Sequence, residues 1–364
     1  MVRCAGLLER YHITRHYLGL DSCVIVSAKY NSATDIVLHR AILFAALGKV
    51  VQRHPALAVR LCDEEIGAPA FVRLETIDLS QVVEFSELDS SHLEEVIPTE
   101  FLRRLDTATA LPLWRLTVLE DNTVVFAYHH GIGDGQSGLA FHRALLSALD
   151  EVDTSAEVLP ILHTQSDGFN LSPPLEECTK LSISLLKILH EIAHLLLPDS
   201  WSADFFAWSG NPVVIGPTLR TTVRIVEYTP EETAYGPGPR MDSFSWDTAA
   251  KLSATLQKHF VKSKEELGKK RAAGFELSNI GRFPTLQATS GEHGALKWSI
   301  GEMYFCQCDA VCGAALKITW LGHHEEAGVS LSWGEGAVDE SLAESFFVEF
   351  KKTVEALLAS HAQQ

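Results

Sequence analysis

Residues 128–135 have the sequence Tyr-His-His-Gly-Ile-Gly-Asp-Gly, and the segments on either side of them indicate the fold. The preceding residues, 123–128, are β-branched and aromatic, which predicts a buried strand. Residues 136–149 carry apolar side chains at helical spacing, which predicts a helix. Glycines in the turn between them let the backbone bend tightly and let a ligand approach closely. Ligands of α/β folds bind at this end of the strands, so the stretch is a candidate functional site.

The two histidines of this stretch are predicted to have different roles. Successive side chains of an extended segment point to opposite faces, so only one of His129 and His130 would face a cleft. Neutral imidazole near pH 7 can take a proton from an alcohol or amine that attacks a carbonyl. Asp134, at the predicted start of the helix, is interpreted either as an N-cap or as a residue that orients the loop.

The pattern His-His-x-x-x-Asp-Gly over residues 129–135 resembles the motif of the CoA-dependent acyltransferase superfamily. This group includes chloramphenicol acetyltransferase, the plant BAHD enzymes and the condensation domains of peptide synthetases. Four other stretches resemble fungal alcohol acetyltransferases, namely Leu8–His16, Gln52–Leu57, Pro112–Arg115 and Phe275–Phe283. The Asp-Phe-Gly-Trp-Gly motif of the plant enzymes is missing, which also favours the fungal branch. The resemblance implies an α/β, two-lobed, chloramphenicol-acetyltransferase-like fold with mixed sheets and a tunnel between the lobes.

The resemblance also implies roles for individual residues. His130 would be the catalytic general base, and Asp134 would be a catalytic-motif residue that orients the loop. Gly135, Asn279 and Arg282 would bind substrate, because in relatives the turn and the strand that carry them line the tunnel. Asn279 is also a candidate donor to the oxyanion.

In the related condensation domains the motif aspartate pairs with an arginine. Arg60 is the first candidate for this partner, although it lies two residues later than the pattern requires. A shift of two residues keeps a side chain on the same face of a strand. Arg115 is the second candidate. The simpler interpretation of either residue is a solvated surface arginine.

The implied reaction uses acyl-CoA, in the first place acetyl-CoA, as co-substrate and needs no bound cofactor. The acceptor would be a small-molecule alcohol or, as a second choice, an amine, as expected for fungal secondary metabolism. A net charge of −17 disfavours nucleic acid as a partner. No N-terminal signal and no membrane-spanning run is found, and seven scattered cysteines favour a cytoplasmic protein. The basic run Lys262–Arg271 is either a solvated helix face or a site for the CoA phosphates.

The length of 364 residues exceeds the usual size of a single core, which predicts two domains. Residues 1–210 would form the N-terminal lobe that carries the motif. Residues 211–245 would form a linker with one strand, and residues 246–364 a C-terminal lobe. This second lobe is shorter than in full-length relatives, which continue into a helix and several strands after the linker.

Near the N-terminus, the patterns predict a strand over residues 20–30, a helix over 35–52 and a strand over 56–61. Pro55 ends the predicted helix. The three segments would form a β-α-β unit at the start of an α/β domain.

The segment His190–His194 matches the zinc-peptidase motif H-E-x-x-H and lies in a predicted helix. The glycine and third histidine that metzincins require downstream are replaced by Leu197 and Ser200. Cys306 and Cys308 lie in an apolar run and are predicted to be core or pocket-lining residues. We therefore expect no metal site.

Three alternatives to the acyl-CoA-dependent enzyme stay open. The shortened second lobe could leave a weak or inactive relative that acts as a binding protein. A condensation enzyme would take its acyl group from a carrier protein. A zinc peptidase would use the motif on the predicted helix.

Overall fold

The computed structural model describes residues 2–64, 68–152, 159–165, 168–178, 221–228, 274–283, 298–308, 313–323 and 326–361. Within these ranges the fold is mixed α/β, as predicted. The helices are α1 (Leu7–Tyr17), α2 (Arg40–Arg53), α3 (Leu93–Leu102), α4 (Gly135–Asp150), α5 (Leu175–Cys178) and α6 (Glu340–His361). The strands are β1 (Arg3–Cys4), β2 (Val24–Ser32), β3 (Val59–Cys62), β4 (Ala70–Arg73), β5 (Thr76–Asp78), β6 (Val83–Phe85), β7 (Trp114–Val118), β8 (Thr123–Tyr128), β9 (Ile161–His163), β10 (Thr221–Tyr228), β11 (Phe275–Phe283), β12 (Trp298–Gln307), β13 (Leu316–His323) and β14 (Glu326–Gly334).

A five-stranded sheet with the order β12-β2-β8-β7-β6 carries the motif. Strands β7 and β8 form an antiparallel hairpin, and β6 pairs with β7 in parallel. Every residue of β8 is buried, because helices cover both faces of the sheet. The motif therefore begins at the end of a strand that lies in the middle of the core.

Side chains of β8 alternate between two apolar clusters. Val124 and Phe126 pack with residues of α2 and α4 on one face. Val125 and Ala127 pack with residues of α3 on the other face. Helix α4 lies close to the sheet at Gly138, where an added Cβ would be 2.3 Å from Cγ2 of Val26. The absence of a side chain at this position allows the close approach.

The second sheet has four strands in the order β10-β14-β13-β11, and its apolar side chains pack against α6. Strand β12 comes from the segment predicted as the second lobe, yet it joins the first sheet. It pairs antiparallel with β2, from Trp298 opposite Ser32 to Gln307 opposite Val24. The first sheet thus contains chain from both ends of the sequence.

The predicted β-α-β unit is wrong. Strand β3 does not join β2 but pairs antiparallel with β4, in a three-stranded sheet of order β1-β4-β3. Its apolar side chains, Val59 and Leu61, are buried in a cluster with Ile13 of α1 and Phe71 of β4. The strand thus pairs with the next strand along the chain and packs against α1.

Helix α2 begins later than predicted, at Arg40 instead of residue 35. Asp35 has a φ of +53°, a left-handed conformation that cannot continue a right-handed helix. The backbone N–H of Leu38 donates to Oδ1 of Asn122 at 2.7 Å, so this segment is held as a loop.

Candidate active site

The chain turns sharply as it leaves β8. The N–H of His129 donates to the carbonyl of Leu113 at 2.9 Å, and the N–H of Ile132 donates to the carbonyl of His129 at 3.0 Å. Asp134 then caps α4, since its carboxylate accepts hydrogen bonds from N and Oγ of Ser137 at 3.0 and 2.9 Å. Both ends of the turn are therefore fixed by hydrogen bonds.

His130 is partly exposed and has one nitrogen engaged by the turn. Its Nδ1 lies 3.0 Å from the carbonyl oxygen of Gly133. A carbonyl oxygen only accepts hydrogen bonds, so Nδ1 must carry the proton. In the neutral ring the lone pair is then on Nε2, which has no hydrogen-bond partner within the described ranges. This is the tautomer that a general base requires.

His129 has the opposite arrangement. Its Nδ1 accepts the N–H of Gly131 at 2.8 Å, so the proton of the neutral ring lies on Nε2. The side chain is fully buried. Burial, together with the neighbouring charge of His16, lowers the pKa of His129 well below its usual value. His129 therefore supports the turn and does not reach a cleft.

Both motif histidines contact α1. The ring of His12 stacks on that of His130, with 3.6 Å between centroids and 16° between planes. The ring of His16 lies 4.6 Å from that of His129, at 53°. His12 and His16 are four residues apart, on one face of the helix. The prediction that His129 and His130 point to opposite faces is therefore wrong, because the chain is no longer extended after Tyr128.

The N-terminal end of α1 is anchored by carboxylates. Glu9 accepts two hydrogen bonds from Arg3, at 2.6 and 2.7 Å, and one from the N–H of Gly6 at 2.6 Å. Glu176 of α5 accepts the N–H of Leu7 at 2.6 Å. These contacts hold α1 in place beside the motif.

The C-terminal end of α1 is anchored by Asp21. Its carboxylate lies 3.6 Å from Nε of Arg15 and accepts a hydrogen bond from Sγ of Cys308 at 2.6 Å. Burial raises the pKa of Asp21, but the charges of Arg15 and Lys317 outweigh it and hold that pKa below its usual value. Asp21 therefore stays ionised beside the histidines.

A cavity of about 620 Å³ opens in front of His130. Its walls are α1, the end of α2, β3, β4, the motif turn and residues 170–178. Most of the lining is apolar and includes Leu8, Val59, Phe71, Ile132 and Leu171. Two arginines also line it, and each is paired with a carboxylate: Arg3 with Glu9, and Arg53 with Glu151 at 2.7 Å. A volume in this range suits a drug-sized organic molecule.

Strand β11 runs beside the first turn of α4. A Cβ at Gly135 would be 2.4 Å from Cγ2 of Ile280, so glycine is needed for this approach. Nε2 of Gln136 donates to the carbonyl of Ile280. In the same strand the side chains of Asn279 and Arg282 are exposed, and Oδ1 of Asn279 accepts the N–H of Gly281 at 2.8 Å. Substrate contacts of Gly135, Asn279 and Arg282 stay predictions.

The predicted ion pair of Asp134 with Arg60 or Arg115 is not formed among the described residues. Arg115 pairs instead with buried Glu100 of α3, because it lies on the α3 face of the sheet. Arg60, in β3, donates to the backbone carbonyl of Leu61 at 3.1 Å. In the part of the chain described, the exposed carboxylate of Asp134 bonds only to Ser137, in the first turn of α4, while its backbone carbonyl accepts a hydrogen bond from the hydroxyl of Tyr128 at 2.5 Å.

The described residues contain no group of three or more His, Cys, Asp or Glu side chains arranged to hold a metal. Cys306 and Cys308 are buried in the core, as predicted. The segment His190–His194 lies outside the described residues. A helix long and apolar enough to cross a membrane is likewise not found in the described ranges.

Of the residues above, sequence reasoning missed His12 and His16. They lie in the stretch Leu8–His16, which the resemblance to fungal relatives had marked. A spacing of four residues on a predicted helix could have placed them on one face. That this face contacts the motif turn depends on tertiary packing, which no local pattern shows.

Three comparisons with known proteins bear on the function. Residues 4–200 match the family model described as alcohol acetyltransferase. A probable alcohol acetyltransferase of Aspergillus fumigatus, crmB, is 23% identical over 446 positions that cover 92% of this chain and 95% of crmB. This alignment is longer than the chain, so crmB contains segments that the chain lacks.

Solved structures agree in fold. The trichothecene 15-O-acetyltransferase TRI3 of Fusarium sporotrichioides superposes with a TM-score of 0.64 at 13% identity, over 97% of this chain and 94% of TRI3. The starter condensation domain of rhizomide synthetase RzmA, solved with C8-CoA and Leu-SNAC, gives a TM-score of 0.56 at 12% identity, over 98% and 94%. The family model matches more than half of this chain's residues. The chain is therefore an acyltransferase that belongs to the alcohol acetyltransferase family.

Proposed function

We propose that the protein transfers an acyl group, in the first place acetyl, from acyl-CoA to the hydroxyl of a small-molecule alcohol, with His130 as general base. One observation carries this proposal: Nδ1 of His130 donates to the carbonyl of Gly133 at 3.0 Å, which leaves the Nε2 lone pair available at the cavity wall. A base must present a lone pair within reach of the proton that it abstracts.

The reaction needs no covalent enzyme intermediate. Nε2 of His130 takes the hydroxyl proton as the alcohol oxygen attacks the thioester carbonyl. The tetrahedral adduct then collapses, the carbon–sulfur bond breaks, and the imidazolium returns the proton to the thiolate of CoA. The ester and free CoA are the products. A general base of this kind contributes about 10²–10⁴-fold to the rate.

We assign the acceptor to the cavity in front of His130. Its lining is largely apolar, and both arginines in it are already neutralised by Glu9 and Glu151. Among the described lining residues, no unpaired Lys or Arg remains for the phosphates of CoA. Such a wall favours an uncharged, mostly apolar alcohol over a polyanion.

The donor is then expected to reach His130 from the side of β11. Glycine at position 135 lets β11 lie against the turn, and Asn279 and Arg282 in this strand are exposed. Arg282 could meet a CoA phosphate, and Asn279 could donate to the oxyanion. The basic run Lys262–Arg271 is the second candidate for the phosphates.

The test is an assay of acyl-CoA with a panel of alcohols, read by thiol release and by mass spectrometry of the ester. The wild type should form ester, and His130→Ala should lose at least 100-fold in kcat. His163→Ala is the matched control, because His163 lies in β9 with an exposed side chain. Equal losses in the two variants would contradict the role of His130.

The same assay separates the alternatives. Turnover with a pantetheine-loaded carrier protein but not with acyl-CoA would indicate a condensation enzyme. Tight binding of acyl-CoA or alcohol without ester formation would indicate a binding protein. One zinc per chain, with peptide hydrolysis that a chelator abolishes, would indicate the peptidase.

A further inference from the structure

We propose that His12 is a positioning residue for His130: its neutral ring, stacked face to face on the base, holds the His130 ring in its working orientation and stabilises the imidazolium that forms during transfer. This inference rests on the proposed function of His130. It concerns a side chain of α1 that lies outside the His-His-x-x-x-Asp motif.

The geometry restrains the His130 ring in two ways. Its Nδ1–H donates to the carbonyl of Gly133 at 3.0 Å, which fixes one edge. Its face contacts that of His12, with 3.6 Å between centroids and 16° between planes. One hydrogen bond alone would let the ring tilt about the bond axis, whereas a stacked partner prevents the tilt. Nε2 is thereby kept at one position on the cavity wall.

The stack also affects the charge that His130 gains. An aromatic face close to a cation attracts it, and most strongly where water is excluded. His12 can provide this only while it is itself neutral. Burial, followed by the charge of His130, lowers the pKa of His12 well below its usual value; Arg15 and His129 act in the same direction, and Asp21 opposes them. His12 is thereby kept uncharged beside the His130 ring.

The alternative is that His12 merely fills space beneath the motif turn. A residue with only that role would be replaced without loss by an apolar side chain, since Nδ1 of His12 is buried and has no hydrogen-bond partner among the described residues. The two interpretations differ in what they require. Filling requires volume, whereas positioning and charge stabilisation require an aromatic ring.

The experiment compares His12→Phe, which keeps a ring, with His12→Leu, which fills the space without one. We expect His12→Phe to retain at least a third of the wild-type kcat. We expect His12→Leu to lose about tenfold in kcat, equivalent to ~1.4 kcal/mol, with KM for acyl-CoA unchanged. Both variants remove the unpartnered nitrogen, so both should fold, and thermal unfolding checks this.

His16→Leu is the matched control. His16 lies one turn further along the same helix and is buried, but it contacts His129 instead of His130. The substitution His16→Leu should lower kcat less than twofold. If His12→Leu kept full activity, or lost no more than His16→Leu, the ring would have no role. If His12→Phe were as inactive as His12→Leu while folded, the inference would also fail, because an imidazole and not a ring would be needed.

A second measurement does not depend on turnover. Long-range ¹H–¹⁵N spectra of protein labelled at histidine report which ring nitrogen carries the proton, and His130→Gln identifies the signals of His130. The wild type and His12→Phe should show the proton on Nδ1, and His12→Leu should show a mixture of tautomers. A single tautomer in His12→Leu would overturn the positioning role even if the wild type proved to have no transferase activity. If the wild type lacked transferase activity, the proposed function would be refuted, but the positioning of the His130 ring by His12 would not.

Discussion

His129 and His130 are adjacent in sequence but carry their protons on opposite ring nitrogens. The N–H of Gly131 donates to Nδ1 of His129 at 2.8 Å, whereas Nδ1 of His130 donates to the carbonyl of Gly133 at 3.0 Å. The turn thus supplies a donor to one ring and an acceptor to the other. The same backbone segment makes one histidine structural and leaves the other with a lone pair toward the cavity.

Exchange of each histidine for alanine should therefore have different effects. His129→Ala removes a fully buried side chain and an acceptor, which should lower the free energy of unfolding by about 2–4 kcal/mol. The kcat of the molecules that remain folded should fall much less than in His130→Ala. Chemical denaturation and kcat corrected for the folded fraction measure the two effects. A stable but inactive His129→Ala protein would contradict the division of roles.

Asp134 should act through its cap. Asparagine is as good an N-cap as aspartate, whereas alanine at this position costs about 1 kcal/mol. Asp134→Asn should therefore keep the wild-type stability, and Asp134→Ala should not. Activity should follow stability in both variants, because the exposed carboxylate bonds to Ser137 and not to an arginine. An inactive Asp134→Asn protein of normal stability would instead show that the negative charge takes part in the reaction.

Arg115 should matter for stability and not for catalysis. It is buried against Glu100, which also accepts a hydrogen bond from Thr117 at 2.8 Å. Arg115→Met would leave that carboxylate with Arg103, at 3.1 Å, and Thr117 as its remaining side-chain partners, so the loss should cost about 1–3 kcal/mol. Arg60→Met, at a half-buried position with one backbone contact, should change stability by less than about 0.5 kcal/mol. Neither variant should change KM, and a rise in KM for either would restore the predicted link to the motif.

Two helical glycines should respond to alanine in opposite directions. At Gly138 the new Cβ would be 2.3 Å from Cγ2 of Val26, so Gly138→Ala should destabilise the protein by about 1–3 kcal/mol. At Gly48 in α2 the nearest atom is the end of a flexible side chain, Cδ2 of Leu162, at 3.4 Å. Gly48→Ala should stabilise by up to about 1 kcal/mol, because alanine favours the helix. Thermal unfolding of both variants tests the packing of α4 on the first sheet.

Stability should fall as the pH is lowered from about 7 toward 4. Burial lowers the pKa of four histidines, namely His12, His16, His129 and His142. In this pH window the unfolded chain therefore binds protons that the folded protein does not bind. A state that binds more protons is favoured as the pH falls, and here that is the unfolded state. Denaturation at several pH values would measure the slope.

His16 offers the clearest test of this slope. Burial, then Arg104 and Arg115, lower its pKa to about 4, while Asp21 opposes them. His16→Phe should therefore remove close to one proton from the uptake on unfolding between about pH 6.5 and 4. An equal slope in wild type and His16→Phe would mean that His16 is not neutral in the folded protein.

Part of the fold could be predicted from the sequence because it depends on local patterns. The β-branched and aromatic residues of Thr123–Tyr128 predict β8, and the helical spacing after it predicts α4. The β-α-β unit predicted from local patterns was wrong, because those patterns do not show that β3 belongs to a different sheet from β2. The chemical difference between His129 and His130 was predicted, but for the wrong reason: it comes from hydrogen bonds within the turn and not from the alternation of a strand.

The same limit applies to the site. The resemblance of residues 129–135 to the superfamily motif makes His130 and Asp134 candidates, whereas the partner of Arg115 depends on which face of the sheet α3 covers. His12 was missed because its contact with His130 joins segments that are more than a hundred residues apart. Contacts of this kind are decided by how elements pack, and a single sequence carries no local sign of them.

The pairing of β12 with β2 has a consequence for how the protein is made. The strand that bears the motif, β8, can pair with β2 and β7 early in synthesis, but the outer edge of β2 stays open until residue 307 has left the ribosome. Until then, the nascent N-terminal half presents unpaired backbone N–H and C=O groups along nine residues of β2. The half of the chain that carries residues 129–135 therefore depends on a strand formed by residues 298–307 to complete its sheet.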